Sequence, residues 1–183
     1  MIGFSYNGIH GSTYEIVARS VDRVLLPALR SKQLEIPGRH GTYDFGENTY
    51  ANRIVSVSLE YVGESFTELR TRAREISAWL TGVNGAKRLI FDDEPDKYYM
   101  AKIYNQMALS NIFKQGKTEA AFECEPFAYS VTLFTDTASV TASGSTLTVS
   151  SSGTIDTPFT VILQNNGISA ISTFTLTRSA LIS

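Results

Sequence analysis

Nine consecutive residues, "RIVSVSLEY" (Arg53–Tyr61), alternate in character without a break. Val55, Val57, Leu59 and Tyr61 fall on one side, and Ile54, Ser56, Ser58 and Glu60 on the other. A period of two is that of a strand with one face buried and one face wet. A chain holding such a segment must supply strands to pair with it. The flanking sequence does so. Phe4 and Tyr6 alternate ahead of Asn7-Gly8, a tight-turn dipeptide. In "STYEIVARSV" Tyr14, Ile16 and Ala18 share a face. "KRLIF", "KYYMAKIYNQMALSNIF" and "TEAAFECEPFAYSVTLF" read as further strands joined by short turns, which points to an antiparallel sheet.

Two segments depart from this rhythm. In "ESFTELRTRAREISAWLTG" the residues Phe66, Leu69, Ala73, Ile76 and Leu80 recur at steps of three and four, so a helix over about 65–81 packs on the sheet. Ser65 and Glu68 have capping-box spacing, and Gly82 stands where a helix ends. Arg70, Arg72 and Arg74 lie off the stripe, as a solvated face or a subunit contact. The other departure follows "VDRVLLPALRSKQLEIPG", where Pro27 and Pro37 favour irregular or edge structure. Gly38, Gly41 and Gly46 punctuate the next stretch, Pro37–Asn48, which reads as a projecting hairpin or loop.

The expected class is therefore mainly β, or α+β. Residues 1–133 form an antiparallel, β-sandwich-like domain with one packed helix and a projecting hairpin. From 134 the chain turns rich in Ser and Thr. "STLTVS", "TPFTVILQ" and "STFTLTR" keep an apolar alternation, and "QNNG" offers a turn, so 134–183 is expected to supply short strands of a partial second sandwich. About 50 residues make a marginal domain on their own.

Charge and motif narrow the chemistry. A net charge of −2 and a pI near 5.7 lack the basic excess of a nucleic-acid binder. No apolar run reaches the length of a membrane span. The N-terminus lacks a signal h-region, so synthesis and retention in a cytoplasm are expected, and the single cysteine, Cys124, excludes an internal disulfide framework. Asp92, Asp93, Glu94 and Asp96 crowd around Pro95 in "LIFDDEPDKYYMAKI". Their spacing matches no calcium loop, and Asp and Pro suit a turn, so an acidic bend between two strands is the expected reading, with a carboxylate metal-dependent hydrolase as a remote alternative. His10 and His40 lack the spacing of metal ligands. Cys124 sits on the apolar face of a strand as a small hydrophobe; a triad with His40 is the weaker reading. No nucleophile elbow, P-loop or dinucleotide fingerprint occurs, so no catalysis, metal or cofactor is expected. Most of the nineteen Tyr and Phe are read as core, although a sugar-stacking face would need the same residue types.

Several of these segments occur together in a familiar order. The Phe-x-Tyr-Asn-Gly start, "EIPGRHG", the "RIVSVSLEY" strand, the "FTELRTRAREISAWL" helix, "LIFDDEPDKYYMAKI" and "AAFECEPFAYSV" resemble the N-terminal tail-ring domain of the distal tail (Dit) proteins of long-tailed bacteriophages, over about Met1 to Leu133. The resemblance implies a non-enzymatic virion protein at the tail tip, assembled in the bacterial cytoplasm. It implies a hexameric ring around the DNA exit channel, between the tail tube and the host-adsorption apparatus. The implied partners are the tube, tape-measure and tail-tip adhesion proteins. Residues 134–183 would be part of the galectin-like C-terminal domain of longer members. Within the projecting hairpin, Arg39, His40, Tyr43 and Phe45 are the candidate subunit-interface residues. A carbohydrate-binding accessory of the baseplate is the alternative.

Overall fold

The computed structural model describes residues 3–46, 49–61, 66–81, 83–104, 117–140, 145–149, 153–155 and 157–177. They fall into two compact units, Met1–Phe134 and Thr135–Ser183. The first begins with β1 (Phe4–Tyr6) and β2 (Ile9–His10). Their two-residue loop places both Asn7 (φ 52°) and Gly8 (φ 79°) in the left-handed region, as the tightest hairpin turns require. A 3-10 turn over Gly11–Tyr14 follows, and Glu15 caps it at φ 57°. The strand expected from Ser12 therefore starts only at Ile16, as β3 (Ile16–Arg23). Ile16 and Ala18 keep the buried face, while Tyr14 reaches the core from the turn.

Four short strands come next: β4 (Leu29–Arg30), β5 (Gln33–Glu35), β6 (Thr42–Asp44) and β7 (Thr49–Tyr50). Then come β8 (Arg53–Tyr61), the helix α1 (Phe66–Leu80), β9 (Lys87–Phe91), β10 (Glu94–Ile103), β11 (Lys117–Cys124) and β12 (Tyr129–Ser130). The main sheet runs β2-β1-β9-β10-β11-β8-β3, with β12 also paired to β10. Every pairing is antiparallel. The remainder of the strand expected after Ile103, with its "KQGK" turn, falls mostly outside the described residues.

This sheet is curled. Three strand spacings separate β1 from β11, which would hold their side chains about 14 Å apart on a flat sheet. Yet the rings of Tyr6 and Phe122 lie 5.4 Å apart, and those of Phe4 and Phe122 6.0 Å. One sheet thus folds over its own interior, where a sandwich would set two sheets face to face. Alternation along a strand is the same in both cases, so the class was readable but the closure was not. Val55, Val57, Leu59, Leu89, Phe91, Ala101, Phe122 and Cys124 line the interior, all nearly inaccessible to water.

Helix α1 adds a buried stripe of Ala73, Ile76 and Leu80 at the expected spacing. Ser65, Gly82 and the side chains of Phe66 and Leu69 lie outside the described residues. Trp79, which the stripe omitted, does more than its neighbours. Its ring stacks on Phe4 at 5.6 Å and on Tyr14 at 4.9 Å, and its Nε1–H donates to the Tyr6 carbonyl at 2.9 Å. A buried indole N–H needs such a partner, and here the partner pins the N-terminal strand to the helix.

In the second unit, the described residues form no strand or helix, and all of them are exposed. The turn at "QNNG" is present: the Asn165 side-chain oxygen accepts from the Gly167 N–H at 2.9 Å, and its amide donates to the Ser169 carbonyl.

Candidate functional site

The acidic cluster is the first place to look for chemistry. Asp92 and Asp93 form a two-residue turn between Phe91 and Glu94, which face each other across β9 and β10. Neither aspartate has a positive φ. Turns of that kind splay the strands they join, and the ladder duly shifts register between Glu94 and Tyr99, a stretch that holds Pro95. Two cations offset part of the carboxylate charge. Arg23, from β3, pairs with Asp93 and with Glu94 and lies 4.5 Å over the Phe91 ring. Lys97 reaches Glu94 at 3.0 Å and Asp96 at 3.8 Å. The Arg23 hydrogen bond holds the Asp93 carboxyl below the usual range. Among the described residues, no group of three or more His, Cys, Asp or Glu is placed to hold a metal ion. The cluster works as a clasp: it ties the hairpin turn to the far end of the sheet. Arg23 lies 70 residues from Asp93, so local spacing gave no sign of it.

A second constellation was also hidden in the sequence. His10 Nε2 lies 3.2 Å from both carboxylate oxygens of Asp92, and Nδ1 lies 2.6 Å from the Ser12 hydroxyl. The Ser12 backbone N–H also donates to that same Nδ1. This is capping geometry: the ring nitrogen satisfies the open end of the 3-10 turn. Gly3 makes it possible, since a Cβ there would collide with the Asp92 carboxylate and the imidazole.

Cys124 and His40 are not brought together. The thiol is fully buried on the interior face of β11, whereas His40 is exposed at the tip of the β5–β6 hairpin. Burial pushes the thiol up to about 12, so almost no thiolate exists at neutral pH. Native protein is accordingly expected to resist a chromogenic disulfide reagent and to release one equivalent of chromophore on denaturation. Fast labelling of folded protein would contradict this.

The remaining feature is the arm formed by β4 to β7. It is longer than the glycine pattern suggested: paired strands run from Leu29 to Tyr50, not only over Pro37–Asn48. At its tip, the Arg39 N–H donates to the Ile36 carbonyl at 3.1 Å across Pro37-Gly38, with Gly38 at φ 80°. Proline followed by a left-handed glycine is the chemistry of a type II turn. Every described residue from Ala28 to Tyr50 is exposed, including Leu29, Leu34, Ile36, Tyr43, Phe45 and Tyr50. Tyr43 and Phe45 meet edge to face at 5.1 Å, and the Arg39 guanidinium lies 5.9 Å from the Tyr43 ring. Three of the four expected interface residues thus touch as one patch, with His40 beside Arg39. The arm thus exposes several large apolar side chains and has no core of its own.

The model of the phage tail protein RIFT-related domain matches residues 9–124, more than half of the chain. The chain belongs to that family. It is a phage tail protein with a mainly β fold: a large curled antiparallel sheet and one helix. Among solved structures, the family fold is also seen in the Dit protein of phage SPP1, described as a paradigm of the hub adsorption apparatus in phages infecting Gram-positive bacteria. The likeness has a TM-score of 0.59 at 19% sequence identity and covers 71% of this chain. It covers 52% of the SPP1 protein, so this phage tail chain spans about half of that length. A comparison with curated protein sequences gives no match.

Proposed function

We propose that this phage tail protein is a structural hub subunit of the tail tip. In this reading six copies close into a ring around the DNA exit channel and join the tail tube to the host-adsorption apparatus. The tube, tape-measure and adhesion proteins are its partners, the virion tail tip is its place, and its role involves no catalysis. The observation that carries the reading is the arm. Leu29 to Glu35 give it a reach of up to about 20 Å, and although Tyr50 packs on Phe127 at its base, Leu29, Leu34, Tyr43 and Phe45 stay exposed along it. Exposed apolar surface on this scale marks an interface. A ring needs head-to-tail contacts, in which one patch meets a different patch on the next copy, and an arm that leaves its own domain supplies the first of them. Arg39, His40, Tyr43 and Phe45 are its contact residues. Residues 134–183 are read as part of a galectin-like domain.

Native mass spectrometry with negative-stain imaging tests the reading. The expected result is a closed oligomer of six copies, alone or with tail partners. A strict monomer at high concentration, with no ring in the presence of those partners, sinks it.

A further inference from the structure

A head-to-tail interface needs a second patch, and the β9–β10 hairpin carries charges that fit the role. At its turn, Asp92, Asp93, Glu94 and Asp96 meet, among the described residues, Arg23, Lys97 and the His10 imidazole, which leaves the four carboxylates in excess. Asp96 is the most open of them at 72% exposure, and among the described residues its one ion contact is the 3.8 Å approach of Lys97. At the other end of β9, Lys87 and Arg88 supply two positive charges, and neither has a carboxylate partner among the described residues. Arg88 is held in place: its guanidinium lies 4.5 Å over the Tyr98 ring, which in turn stacks on Tyr129 at 5.4 Å. These residues border a shallow cavity of about 410 Å³ lined by Asn7, Gly8, Lys87, Arg88, Tyr98 and Met100.

The two ends of the hairpin cannot neutralise each other. Five residues of strand separate them by roughly 16 Å, beyond the screening length of about 8 Å at physiological salt. We infer that the Lys87–Arg88 cavity receives the acidic Asp92–Asp96 turn of a second copy of this chain. This rests on the reading of the protein as a homo-oligomer and adds a second contact to the arm. Charge of opposite sign at the two ends of one rigid hairpin sets the same polarity on every copy, and that polarity is what head-to-tail closure requires. Complementary charge of this kind mainly fixes register and speeds encounter.

Charge reversal tests it by sedimentation velocity and native mass spectrometry of the full chain at low and high salt. Arg88→Glu and Asp96→Lys are each expected to weaken self-association at least tenfold, with Trp79 fluorescence unchanged. The combined variant, which restores opposite charges across the interface, is expected to recover most of the loss. Lys87→Glu provides a second reading of the cationic side if Arg88→Glu perturbs the fold. Wild-type protein that never self-associates overturns the oligomer reading itself. Wild-type protein that assembles while the single reversals assemble equally well, or while the double reversal is no better than either, overturns this contact alone.

Discussion

Phe122→Ala is expected to remove about 3–5 kcal/mol of stability, a large share of the roughly 5–15 kcal/mol that holds a domain together. Phe122 is fully buried, and its ring is where the curled sheet meets itself: Phe4 and Tyr6, from the opposite end, lie 6.0 and 5.4 Å away. Truncation leaves a cavity walled by rings that backbone pairing holds apart, so little collapse can fill it. The neighbouring Cys124 and Ala101 are too small to move in. Denaturant unfolding followed by the fluorescence of Trp79, the single tryptophan, reads this core directly. Phe122→Leu is expected to lose markedly less. A change below about 1 kcal/mol for the alanine variant would mean that β1 and β11 do not face each other as described.

The second large effect concerns assembly and leaves folding alone. Replacing Tyr43 and Phe45 by serine removes the aromatic pair near the arm tip, both members of which are exposed. Surface changes of this kind move stability by about 0.5 kcal/mol or less. If the arm is the subunit contact proposed above, two aromatic anchors of about 2 kcal/mol each are lost, and self-association falls by more than about a hundredfold. Melting temperature and oligomer mass, measured on the same preparation, separate the two quantities. A variant that melts like the wild type and also assembles like it would remove the arm from the interface.

How much of this was legible beforehand depends on the range of the interaction. β8 was plain because its alternation is local and its partners flank it on both sides. The Asn7-Gly8 hairpin and the turn at Asn165 were plain because side-chain and backbone preferences within four residues determine them. The buried side of α1 followed from period alone, yet Trp79 did not, since its weight comes from a bond to Tyr6, 73 residues away. Likewise, the acidic turn was readable as a turn, but not as a clasp closed by Arg23. The arm was underestimated because Pro27 and the polar residues of Arg30–Gln33 mask strands that need no buried face. The residues proposed as its contacts share a glycine-rich setting, whereas the meeting of Arg39, Tyr43 and Phe45 in space follows only from the pairing of β5 with β6.

The order of strands in the sheet also has a consequence in time. β1 leaves the ribosome well ahead of its partner β9, which lies more than eighty residues downstream, and the rings of Phe4 and Tyr6 close on Phe122. At the usual pace of about 5–20 residues per second, translation leaves these two aromatic side chains without Phe122 for on the order of 6–24 seconds. The β3–β8 pair and its arm are complete long before then. The nascent domain thus holds a finished β3–β8 pair while β1 still waits for β9 and β11, and a domain that must seal in this order is most exposed to misassociation at β1.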